Sequence, residues 1–109
     1  MPNAHLTESS AGAKEAEISP QAVYARDTTW IRACDVLIAE VSVPSHGVGY
    51  EIGYALGLGK PVLVLHQDGR KVSKMISGNP DSKLTMVSYS THDEAVEKIH
   101  QYLKKMNGQ

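Results

Sequence analysis

Residues 44 to 51 read Pro-Ser-His-Gly-Val-Gly-Tyr-Glu and follow a largely apolar run, Val36-Leu37-Ile38-Ala39-Glu40-Val41. A helical pattern comes next and ends at Gly59-Lys60-Pro61. The order is strand, glycine-bearing turn, then a helix that starts with a carboxylate, Glu51. In an open α/β sheet this junction lies at the carboxyl end of a strand, where ligands bind. Backbone N–H groups of a first helical turn suit an anion such as phosphate. Ser45 stands just before that turn, where its hydroxyl can cap the N–H groups or hold the anion. A glutamate is a poor anion ligand, so Glu51 would act on whatever lies beside the anion. The plainer reading is a carboxylate that only complements the helix dipole, worth a few tenths to ~1 kcal/mol. Glycines at 47, 49, 53 and 57 clear side chains from around Glu51 and favour the reactive reading.

A second carboxylate, Asp27, falls on a helical stripe with Val23, Trp30 and Cys34. A charge on an inward stripe is costly unless paired or functional. A phase shift of one residue would instead put Asp27 at the edge of the stripe. Asp35 suits a turn. Glu40, at the strand's carboxyl end, either lines the same crevice or pairs with a surface cation. The glycine spacing is G-x-G-x-x-x-G, with Ile52 in the third glycine's place of the dinucleotide fingerprint, and no Walker lysine follows. Gly49, Gly53 and Gly57 lie four apart, which fits close packing of one helix face on the sheet or on a partner helix. Ser45 and His46 are sequence neighbours, which is no evidence of a triad. The five histidines lack metal-ligand spacing, so neither a metal nor another cofactor is expected.

The elements that must hold these residues follow from length and pattern. With 109 residues, 41% of them hydrophobic, the chain supports one domain. A net charge of -1 without a basic cluster gives no footprint for nucleic acid or an anionic membrane. No membrane-span or signal-peptide pattern is present, and the one cysteine cannot form an internal disulfide. A cytoplasmic setting is expected, with the nucleus left open, and Cys34 reads as a buried structural thiol. Residues 1 to 18 are expected to form a poorly ordered arm or, near Ala4 to Thr7, a degenerate strand. Residues 19 to 109 are expected to form the domain. Ser19-Pro20 predicts a helix start, with the helix running to Ala33. Strands are predicted at Asp35 to Val41 and Pro61 to Leu65, both apolar enough to be buried on two faces. Helices are predicted at Val48 to Leu58 and at Arg70 to Ile76, and an edge strand at Lys83 to Tyr89. Thr91 to Glu94 reads as a capping box, opening a helix with Val96, Ile99, Leu103 and Met106 on its core face. The alternation implies a small doubly wound α/β domain, Rossmann-like or flavodoxin-like, with a parallel sheet of three clear strands and the degenerate one.

Taken together, Asp27-Thr28-Thr29-Trp30, Ala33 to Val41, Pro44 to Gly53 and Gly59 to Leu63 resemble the 2'-deoxynucleoside 5'-phosphate N-hydrolase family, a branch of the nucleoside 2-deoxyribosyltransferases. The likeness covers roughly Val23 to Leu103. It implies that Glu51 is a nucleophile that attacks the anomeric carbon of a deoxyribose 5'-phosphate. Asp27 would orient the sugar and assist proton transfer, and Ser45 would bind the phosphate beside the Gly47 and Gly49 turn. Ser73 and Met75 would serve the neighbouring subunit's site, implying a homodimer with shared sites. The family opens with a strand and a Gly-Ser-Ile-Arg-Gly type loop, preceded by a tyrosine, that holds the phosphate and one wall of the sugar pocket. No counterpart stands here, and His5-Leu6-Thr7-Glu8 aligns with the end of the family's second strand. The resemblance therefore implies an incomplete or divergent member. Three activities remain open: hydrolysis, nucleotide binding without turnover, and transfer of the sugar to a second base.

Overall fold

Val36-Leu37-Ile38-Ala39 and Val62-Leu63-Val64-Leu65 are each buried at all four positions, so both faces of their sheet must be covered. The computed structural model describes residues 3–8 and 18–108. Its elements are β1 (Ala4–Glu8), α1 (Pro20–Ala33), β2 (Val36–Glu40), α2 (His46–Gly57), β3 (Val62–Gln67), α3 (Lys74–Ser77), β4 (Leu84–Tyr89) and α4 (His92–Met106). The four strands pair in parallel in the order β1-β2-β3-β4. Leu37, Ala39, Val62 and Val64 pack with Ile31 of α1, Val48, Ile52 and Ala55 of α2, and Ile76 of α3. Val36, Ile38, Leu63 and Leu65 pack on the other face with Ile99, Tyr102 and Leu103 of α4. Helices thus cover both faces, as a doubly wound α/β domain requires.

The degenerate strand near Ala4 forms, and it lies at the edge of the described sheet. Its register pairs His5 with Leu37, Leu6 with Ile38 and Thr7 with Ala39. Parallel partners share a face, so His5 and Thr7 look toward α1 and α2, while Leu6 looks the other way. The rest of the expected arm, residues 1, 2 and 9 to 17, lies outside the described residues. Among the described residues no helix is long and apolar enough to cross a membrane.

Helix ends follow their residues. Ser19 Oγ accepts from Ala22 N at 3.1 Å with Pro20 at the first helical position. Lys60 Nζ donates to the carbonyls of Arg32 (2.9 Å) and Cys34 (2.7 Å), closing the carboxyl end of α1. Gly59, at φ 79°, makes the left-handed step that ends α2. Thr91 Oγ1 accepts from Glu94 N at 3.1 Å, but Glu94 Oε1 closes the box on Ser90 N, one residue earlier than a standard box.

Several sequence expectations shift. The buried residues of α1 are Thr28 and Ile31, not the stripe through Val23, Asp27 and Trp30. Cys34, the fourth member of that stripe, is the C-cap in extended conformation and lies outside helical geometry. Trp30 is 47% exposed, and Asp27 sits at the edge of the buried face. On α4, Tyr102 joins Ile99 and Leu103, while Val96 and Met106 lie toward solvent. The helix expected over Arg70 to Ile76 shortens to Lys74–Ser77. Gly49, Gly53 and Gly57 touch nothing at their Cβ positions, so close packing on the sheet is not their role among the described residues.

Leu63→Ala is expected to cost about 2–5 kcal/mol in urea unfolding, because a central-strand side chain leaves a cavity. Leu6→Ala, at a position 59% exposed, should stay within about 0.5 kcal/mol of the parent.

Candidate active site

Glu51 lies in the second turn of α2, not the first, because the helix starts at His46 with Ser45 as its N-cap. This weakens the dipole reading of Glu51, since that effect fades beyond the first turn. The residue is half-buried, and its Oε1 accepts a hydrogen bond from Thr7 Oγ1 at 2.6 Å. Thr7 itself is only 7% exposed. Asp27 stands on α1, its Oδ1 2.9 Å from Arg26 Nε. Arg26 also lies over the Trp30 ring, 4.8 Å from its centroid, and that ring contacts His5 at 5.4 Å. Burial pushes the His5 imidazole below its ordinary value, with the Asp27 charge opposing and the Arg26 charge assisting. Burial therefore favours the neutral imidazole.

One face of β1 thus connects the two carboxylates. His5 and Thr7 are alternate residues, about 6.6 Å apart by strand rise. His5 feels the charge of Asp27, and Thr7 bonds Glu51. A half-buried carboxylate held by a hydroxyl is equipment for nucleophilic chemistry at an acetal-like carbon.

The other expected site residues gather on the opposite flank of α2. Ser45, Gly49, Gly53, Ser73, Met75 and Val43 line a groove of about 500 Å³ between α2 and the α3 region. At about 100° per residue, Glu51 points away from Gly49 and Gly53, and it does not line this groove. Ser45 Oγ accepts from Val48 N at 3.3 Å, and Ser73 Oγ accepts from Met75 N at 3.2 Å. A Cβ at Gly47 would meet Ser45 Oγ at 3.9 Å, an ordinary van der Waals contact, and Gly47 does not line the groove. Met75 is 85% exposed. Ser45, Gly49, Ser73 and Met75 come together in one groove, while Glu51 lies on the other flank of α2 and Asp27 stands on α1.

Glu40 neither joins Glu51 nor pairs with a cation among the described residues. It points to the α4 face, where Ser42 N (2.8 Å), Ser42 Oγ (2.7 Å) and Tyr89 Oη donate to it. Ser42 Oγ accepts in turn from Gln67 N at 2.8 Å. This network ties together the carboxyl ends of β2, β3 and β4. Burial pushes the Glu40 carboxyl up, but the Tyr89 and Ser42 hydrogen bonds outweigh it and the net direction is down. Cys34 is buried, its Sγ 3.1 Å from Ile31 O, and burial pushes the thiol up, as suits a structural cysteine.

Thr7 and His5 are the site residues that sequence reasoning missed. A period-two run at Ala4 to Thr7 was the available signal, but only the register with β2 shows which side chains face α2.

The four-stranded parallel sheet with helices on both faces, and Glu51 held to its edge strand by Thr7, define an α/β domain. The sequence profile of the nucleoside 2-deoxyribosyltransferase family matches residues 2–106, and the chain belongs to that family. A mouse relative named 5-hydroxymethyl-dUMP N-hydrolase is 42% identical over 93 residues, covering 84% of this chain and 54% of its own. A Syntrophotalea carbinolica relative, named a 2'-deoxynucleoside 5'-phosphate N-hydrolase, is 51% identical over 75 residues, covering 67% of this chain and 51% of its own. The chain spans about half the length of these curated relatives. A solved CMP N-glycosidase from Clostridium botulinum superposes with a TM-score of 0.71 at 30% identity, covering 80% of this chain and 73% of that one.

The Glu40 network predicts a pH-dependent variant. A carboxyl lowered by folding adds stability above its unfolded value near 4.5, and that stability is lost as pH falls through the folded value. Tyr89→Phe should therefore cost about 1 kcal/mol at pH 7 and clearly less at pH 3, read by urea unfolding at both.

Proposed function

We propose that this chain hydrolyses the N-glycosidic bond of 2'-deoxynucleoside 5'-monophosphates. The observation that carries the reading is Glu51, half-buried and bonded by Thr7, in a chain whose relatives are named N-hydrolases. A Glu51 oxygen attacks C1' of the sugar as the C1'–N bond breaks, and the base leaves with that electron pair and a proton. Water then opens the glutamyl ester, giving deoxyribose 5-phosphate, and Asp27 assists the proton transfers. Ser45 and the α2 N-terminus hold the 5'-phosphate. No cofactor is required by these steps. The single buried Cys34 fits a reducing, cytoplasmic setting.

The partner is a second copy of the chain. Ser73 and Met75, which line the groove on the far side of α2 from Glu51, would serve the partner copy's site. The outer face of α2 carries Tyr50, 56% exposed, beside Gly53 and Gly57, whose Cβ positions are open. A helix without charge on its outer face is normally covered.

Glu51→Ala is expected to lower base release from deoxynucleoside monophosphates on the order of 10³-fold or more while leaving the fold intact; release at the parent rate would remove Glu51 from the nucleophile role. Binding of a monophosphate without base release by the parent would identify a binding module instead, and product only with an added acceptor base would identify a transferase. Ser45→Ala should weaken phosphorylated substrates about ten- to a hundredfold more than dephosphorylated ones. Tyr50→Glu should halve the mass seen by sedimentation; an unchanged mass would count against α2 as the interface.

A further inference from the structure

We infer that Thr7 is a positioning residue for Glu51, its hydroxyl holding the carboxylate ionised and aimed. The inference rests on the reading of Glu51 as a nucleophile. The contact is 2.6 Å, in the range of a charge-assisted O–H···O⁻ bond. Thr7 and Glu51 belong to different elements, β1 and α2, separated by 44 positions, so the bond fixes the carboxylate against the sheet. Threonine is branched at Cβ and restricted at χ1, which limits the directions its hydroxyl can take. Burial at 7% exposure removes most of the competing water.

Register makes the position specific. Thr7 pairs with Ala39, whereas Leu6 and Glu8 pair with Ile38 and Glu40 and face the opposite side. A slip of one residue would offer Glu51 an aliphatic side chain or a second carboxylate in place of the hydroxyl. Hydrogen bonding to the charged form favours that form, and a nucleophilic carboxylate must be charged. A bond that merely tied the edge strand to α2 would affect stability and leave the folded protein's chemistry unchanged.

The test compares Thr7→Val, which removes the hydroxyl and keeps the branching, with Thr7→Ser, which keeps the hydroxyl, both in the full chain. The Glu51 carboxyl is followed by ¹³C NMR through a pH titration, assigned with Glu51→Gln, and base release gives kcat and KM. Thr7→Val should make Glu51 titrate at higher pH than in the parent, and Thr7→Ser should restore it. The same variant should lower kcat about tenfold or more with KM little changed, and move the acid limb of kcat upward. An unmoved Glu51 titration in folded Thr7→Val overturns the inference. If the parent releases no base, the proposed reaction fails, while the titration still decides whether Thr7 holds Glu51. Should Thr7→Val not fold, Thr7→Ala takes its place, with the same two results deciding.

Discussion

The structure depends on the double-sided burial of β2 and β3. Their apolar runs leave no face free for water, so helices must cover both sides and the strands must lie inside the sheet. With β2 and β3 central, β1 and β4 become the outer described strands, and their side chains are mixed in polarity. Everything at the site hangs from this arrangement. Successive crossovers in one direction put α1 and α2 on the same face, and these are the helices that carry Asp27 and Glu51.

Polar side chains then finish what apolar packing begins. On the α4 face, Glu40 gathers Ser42, Tyr89 and, through Ser42, Gln67, fastening the carboxyl ends of three strands. On the other face, Thr7 reaches Glu51 and fastens the edge strand to α2. The two glutamates have similar surroundings at first sight, each near a strand end and each hydrogen-bonded. They differ in what is left to do: the bonds to Glu40 come from three donors that join strands, whereas Glu51 stands on the face that also holds His5 and Asp27. No buried side-chain polar atom among the described residues lacks a partner, so neither site is left strained by an unmet hydrogen bond.

Helix α2 separates the groove residues from Glu51. Glycines at 49 and 53 line the groove with Ser73 and Met75, and Glu51 faces the opposite way.

The sequence by itself determined the elements and their types. Unbroken apolar runs read as buried strands, Ser19-Pro20 and Thr91 to Glu94 marked helix starts, and the Pro44 to Glu51 turn located the carboxylate and its capping serine. These are local signals, written in periods and caps that span a few residues. Tertiary structure decided what each carboxylate meets. Asp27 and Trp30 moved off the buried stripe because helix phase is fixed by packing on the sheet, with Thr28 and Ile31 as the contact. Glu40 became a strand clamp because Tyr89, 49 residues away, arrives on its face. Thr7 became the partner of Glu51 because the pairing of β1 with β2 selects which alternate side chains face α2, and no stretch of sequence records that register.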